Sequence, residues 1–77
     1  MFIRVLYFGS LRETLGRAGD VGTLPEGIRV IDAWHWLNPE KSLPENTLCA
    51  INQEYVKPDA LLSEGDELAF FPPVTGG

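Results

Sequence analysis

Between Phe2 and Phe8 the side chains alternate, with Ile3, Val5 and Tyr7 on one side of an extended chain and Phe2, Arg4, Leu6 and Phe8 on the other. A period of two is that of a half-buried strand, and Arg4 marks the second face as the wetter one. Ser10-Leu11-Arg12-Glu13 then has the Ser-x-x-Glu form in which a hydroxyl and a carboxylate satisfy orphan amides at a helix start. A short helix capped by Ser10 is predicted there, with Gly16 placed to end it. From Arg17 to Gly27 glycine and proline interrupt the pattern, and only Val21 to Leu24 suits a short strand, expected to pair with the first as a hairpin.

The period changes to 3.6 over about Arg29 to Leu37, where Val30, Ala33, Trp34 and Leu37 fall on one helical face before Pro39 stops the helix. Leu48 to Ile51 and Tyr55-Val56 read as two strands joined at Asn52-Gln53-Glu54, and Leu68 to Phe71 as a last strand after Ser63-Glu64-Gly65-Asp66. Strands before and after one principal helix predict an α+β fold, a mixed sheet of the β-grasp kind with the helix on one face. In the last strand Leu68 and Phe70 point one way and Ala69 and Phe71 the other. If the first pair joins the helix in the core, Phe71 emerges on the open face, where Phe8 and Tyr55 can meet it in an apolar patch of the sort that has a partner.

Length leaves room for one domain, expected over residues 1–71, because a 77-residue chain buries only roughly 60% of the surface it exposes when unfolded. The formal charge of −5 argues against nucleic-acid and anionic-membrane surfaces, which call for clustered lysine and arginine. The apolar run Val5-Leu6-Tyr7-Phe8 is too short for a signal or a membrane span, so a cytoplasmic location is expected. Cys49 is the single cysteine, which excludes an internal disulfide and reads as a small core hydrophobe. Glu64, Asp66 and Glu67 lack accompanying His or Cys at metal-ligand spacing and read as a solvated turn, so no metal site is expected. His35, opposite the apolar stripe, reads as a surface histidine, Trp34 as core and Trp36 as a cap on the core's edge.

The last eight residues, FFPPVTGG, begin in a strand and end in a tail, residues 72–77. Pro72 and Pro73 lack amide donors and favour an extended path away from the sheet. At roughly 3.3–3.6 Å per residue the tail reaches about 20 Å. Gly76 and Gly77 add no side chain, so their backbone fits a channel only as wide as the main chain, and the Gly77 carboxylate is unencumbered. A terminal Gly-Gly by itself is a frequent accident; its weight comes from the whole ending and from segments upstream.

Val5-Leu6-Tyr7-Phe8 followed by Leu11-Arg12-Glu13, the helix around Asp32, Ala50-Ile51-Asn52-Gln53 and the terminal LSEGDELAFFPPVTGG together resemble the small, sulfur-carrying subunits of molybdopterin synthase, in the ubiquitin-like sulfur carrier family. The resemblance runs the full length of the chain. Arg29 departs from it, standing where a helix-capping Thr is common, and so does Trp34-His35-Trp36. The resemblance implies that an E1-like adenylating enzyme uses ATP to convert the Gly77 carboxylate into an acyl-adenylate and then a thiocarboxylate. It further implies that Pro72, Pro73, Val74, Thr75 and Gly76 thread this group into the active site of a larger catalytic subunit, in a heterotetramer of two small and two large chains. There sulfur passes to cyclic pyranopterin monophosphate to make molybdopterin. Phe8, Arg12, Tyr55 and Phe71 match positions that contact both partners; the plain alternatives are core packing for the aromatics and a solvated helix position for Arg12. On this view the chain binds no cofactor and is a non-catalytic donor. Three other readings stay open: a thiamin-pathway or other sulfur carrier, a ubiquitin-like modifier joined to lysines, and an interaction domain whose tail has no role.

Overall fold

The computed structural model describes residues 1–73. Strand β1 spans Phe2–Tyr7, and the alternation of its sequence is the alternation of its burial: Ile3, Val5 and Tyr7 are buried while Phe2 and Arg4 face water. Helix α1, Gly9–Leu15, follows at once. Strand β2, Gly19–Thr23, then returns antiparallel to β1, in a register from Phe2 opposite Thr23 to Leu6 opposite Gly19. The antiparallel pairing of β1 and β2 is the one expected, with α1 carried in the connection between them. Pairing extends two residues before Val21 because Gly19 passes where a Cβ would strike the Val5 carbonyl oxygen.

The capping arrangement expected at Ser10 does not form. Phe8 is the capping residue, extended at φ −121° and ψ 158°, and no side chain caps the helix. The reason lies in the sheet: the Phe8 amide still donates to the Phe70 carbonyl at 3.1 Å, and Gly9, at φ +57°, turns the chain straight from strand into helix. Ser10 is thus already helical and lacks the extended backbone a capping side chain uses. The other end is as expected, with Gly16 at φ 72° and its amide donating to the Arg12 carbonyl.

Helix α2, Val30–Leu37, carries Val30, Ala33 and Trp34 into the core. Arg29 serves as its capping residue because other groups satisfy the first amides. The Arg29 amide donates to Asp32 Oδ2 at 2.9 Å, and Val30 and Ile31 donate to the carbonyls of Ala60 and Pro58. Strands β3, Leu48–Ile51, and β4, Glu54–Val56, form a hairpin on a two-residue turn, with Asn52 and Gln53 both at positive φ as such turns require. Glu54 therefore opens β4 and is not part of the turn.

Strand β5, Glu67–Phe71, is the centre of a five-stranded sheet of order β2-β1-β5-β3-β4. It runs parallel to β1 and antiparallel to β3. The first and last strands can pair in parallel only because the whole chain between them forms the crossover. Leu68 and Phe70 enter the core as expected, where Phe70 stacks beside Tyr7 and meets Trp34 edge-on at 5.1 Å. Trp34 Nε1 donates to the Lys41 carbonyl at 2.8 Å, which satisfies the indole in an apolar setting. Trp36 is not an edge cap: it faces solvent, 59% exposed. Among the described residues no helix is long and apolar enough to cross a membrane.

Candidate functional site

With α2 on one face of the sheet, the other is left open, and alternation along β5 sends Ala69 and Phe71 towards it. Phe71 lies flat against Phe8, ring centroids 4.7 Å apart and planes within 6°. Tyr55 closes from the β4 side at 6.2 Å. These three, with Leu6, Ala50 and Ala69 as floor and Gln53 and Glu67 at the rim, line a shallow concavity of about 330 Å³. Phe8 and Tyr55 are well exposed and Phe71 half-buried, so the face holds aromatic area that water covers in the isolated chain. The structure thus brings Phe8, Tyr55 and Phe71 together. Arg12 lies apart from them, exposed on α1, where it lines a separate hollow with Gly9, Glu13 and Arg17.

The root of the tail leaves from the edge of this aromatic face. Pro72 is half-buried and Pro73 exposed. Both border a groove of about 390 Å³ formed with Leu11 and Leu15 of α1, Trp34 and Pro44. Val74, Thr75, Gly76 and Gly77 lie outside the described residues.

Other chemistry-bearing side chains serve the fold. Cys49 is buried, and desolvation pushes its thiol up to about 11, so it stays protonated and shielded at neutral pH. The acidic turn is used in hydrogen bonding. Glu64 accepts from the Phe2 amide at 3.0 Å, and Asp66 accepts from the Ser63 amide and the Asn52 side chain. Glu67 lies 3.8 Å from Arg4. No group of His, Cys, Asp and Glu among the described residues could hold a metal ion. His35 is exposed.

One cluster escaped the sequence reading. Tyr7 Oη donates to Asp20 Oδ2 at 2.8 Å, and Asn38 Nδ2 donates back to the phenol oxygen at 3.2 Å. Arg17 donates to both Asp20 oxygens and to the Leu37 and Asn38 carbonyl groups, with its guanidinium 5.2 Å above the Tyr7 ring. Burial alone would raise the Asp20 carboxyl, but hydrogen bonds from Arg17 and Tyr7 and the Arg17 charge outweigh it and hold the group below the usual carboxylate range. Burial is also the main reason the Tyr7 phenol is pushed up to about 12. The one local hint was Arg17 and Asp20 three apart; Tyr7 and Asn38 come from 31 positions apart.

A mixed five-stranded sheet holding a helix on one face, with an aromatic patch on the other beside the exit of the last strand, is the ubiquitin-like β-grasp architecture. Solved structures share it. SAMP1 from Haloferax volcanii superposes with a TM-score of 0.79 at 25% identity, covering all of both chains. A Pyrococcus furiosus chain provisionally described as subunit 1 of molybdopterin converting factor gives 0.74 at 31% identity, over 96% of this chain and 99% of that one. The chain belongs to the ThiS family, whose pattern matches residues 5–77. It is 40% identical to the molybdopterin synthase sulfur carrier subunit of Escherichia coli, over 97% of this chain and 99% of that protein.

Proposed function

We propose that this chain is a sulfur carrier of molybdenum cofactor assembly, working through the carboxylate of Gly77. The observation that carries the reading is the end-to-end similarity to the Escherichia coli sulfur carrier subunit. A carboxylate is a poor electrophile because its charge is delocalised. Attack of a carboxylate oxygen on the α-phosphorus of ATP expels pyrophosphate and leaves an acyl-adenylate, and sulfide then displaces AMP at the acyl carbon to give the thiocarboxylate. ATP and the adenylation machinery belong to an E1-like partner. Pro72, Pro73, Val74, Thr75 and Gly76 carry the group into a large catalytic subunit, two of each chain in the assembly, where cyclic pyranopterin monophosphate takes the sulfur. Phe8, Tyr55 and Phe71 form the face on which the partners dock, and Arg12 meets them from the separate hollow on α1. The chain delivers and its partner catalyses, in the cytoplasm.

Intact mass of the protein from its own cell tests this, together with reconstitution on the pyranopterin precursor. The expected result is replacement of one oxygen by sulfur at Gly77 and precursor conversion when the large subunit is added. An isopeptide adduct on lysines of other proteins would replace this reading with that of a modifier. Thiolation without precursor conversion would point to another sulfur pathway.

A further inference from the structure

The β1·β5 ladder pairs Arg4 with Glu67 through Tyr7 with Phe70, in parallel. The same register continues past the last ladder pair: Phe8 falls opposite Phe71, which it stacks upon, and Gly9 falls opposite Pro72. At that place a Cβ on Gly9 would stand 2.8 Å from Pro72 Cγ, closer than a real Cβ comes, and 3.3 Å from Cδ, a tight contact. Gly9 differs in this from the other glycines of positive φ. Gly16, Gly27 and Gly65 share its backbone conformation, yet a Cβ on any of them would meet nothing within 4 Å. Left-handed geometry therefore accounts for glycine at those three sites, whereas at residue 9 a second demand is added, and it comes from the first residue of the tail.

We propose that Gly9 is a positioning residue for the tail: its bare Cα seats the Pro72 ring at the start of α1 and so sets the direction in which the chain leaves the sheet. The consequence for sulfur transfer rests on the sulfur-carrier reading; the contact itself does not. Proline has a fixed φ and its ring is tied to its own backbone, so a push on the ring is passed to the main chain and is not relieved by side-chain rotation. Five residues reach at most about 17 Å, so a tilt of about 10° at Pro72 can displace the end by up to about 3 Å. That exceeds the misplacement of about 1 Å that can cost on the order of a hundredfold in rate. Alanine at position 9 can be met in part by a change of ring pucker. A β-branched side chain cannot.

The contact is tested first in the unmodified chain, by a nuclear Overhauser effect between Gly9 Hα and the Pro72 ring protons, and then by thiocarboxylate formation with the cognate activating enzyme. For Gly9→Val the expected result is a fall in kcat of about tenfold or more with KM within about twofold, since the docking face is intact. Gly16→Val imposes the same backbone strain without the contact and is expected to keep wild-type kcat. In a Pro72→Ala background, which removes the ring, the effect of Gly9→Val should shrink to within about threefold, as coupled neighbours require. Absence of the Overhauser effect, an equal loss in Gly16→Val, or an undiminished loss without the ring would each overturn the proposal. Should Gly9→Val fail to fold, Gly9→Ala carries the test through displaced Pro72 resonances, and unmoved resonances would overturn it. If the unmodified chain is never thiolated, the sulfur-carrier reading fails, while the Overhauser effect still decides the contact.

Discussion

Phe70 and Phe71 are neighbours in sequence with opposite surroundings, one fully buried against Tyr7 and Trp34, the other half-buried against Phe8. Truncating Phe70 removes a core aromatic, for which about 3–5 kcal/mol is the usual cost. At about 4–8 °C per kcal/mol for a domain of this size, Phe70→Ala should melt roughly 12–40 °C lower. Phe71→Asp forfeits a stacking contact of about 0.5–1.5 kcal/mol and should keep the native circular-dichroism spectrum. Its loss should appear in binding instead, about thirtyfold or more weaker for the large subunit by calorimetry, because a charge has been placed in the proposed docking face. Loss of the native spectrum in Phe71→Asp would place that ring in the core. Cys49 gives a second contrast. Buried and protonated, it should react with a thiol-specific disulfide reagent only as fast as the domain opens, and at once in urea. Prompt labelling of the native protein would contradict its burial.

Among the elements, β1, β2 and the end of α2 are joined by the Tyr7, Asp20, Arg17 and Asn38 cluster, so its titration should show in stability. The folded-state pKa of Asp20 lies below its ordinary value. Its contribution is therefore present above about pH 4 and is lost as pH falls through the folded-state value. Tyr7 is raised to about 12, so the stability gained by keeping the phenol neutral is present below about pH 10 and lost as pH rises from there towards 12. Urea midpoints measured across pH should show a shallower acid limb for Asp20→Asn and a shallower alkaline limb for Tyr7→Phe than for the unmodified chain. Unchanged slopes in both variants would mean that the cluster is open in solution.

For the molecule as a whole, the last strand ends at Phe71 and the reacting atom is proposed to lie six residues beyond it, so tail length should matter to function and not to folding. One alanine added after Gly77 moves the carboxylate by up to about 3.3 Å, and deletion of Gly77 stops it short by as much. Both variants should melt within about 2 °C of wild type, since neither touches the core. Thiocarboxylate formation and precursor conversion should each drop by on the order of a hundredfold or more. Wild-type rates in both would show that the terminal carboxylate is not the working group.

Much of this was legible in the residue pattern, because burial follows periodicity wherever a strand or helix has one wet face. The Ile3, Val5 and Tyr7 stripe, the α2 face, the Leu68 and Phe70 core pair and the emergence of Phe71 on the opposite face all follow from alternation and helical spacing. Membership of the sulfur-carrier group was legible too, in the ending FFPPVTGG and the segments that go with it. What failed was local capping chemistry at Ser10, because a tertiary hydrogen bond from Phe8 to Phe70 moved the start of α1 by fixing residue 8 in the sheet. Long-range polar satisfaction was equally hidden: nothing near Tyr7 announces Asn38, and nothing near Arg29 announces the carbonyls of Pro58 and Ala60 that meet the first amides of α2. Periodicity is a property of one segment and can be read from it. The pairing of β1 with β5 is set by which edges remain to be satisfied once every segment is placed, and only through that pairing does Gly9 come to lie against Pro72.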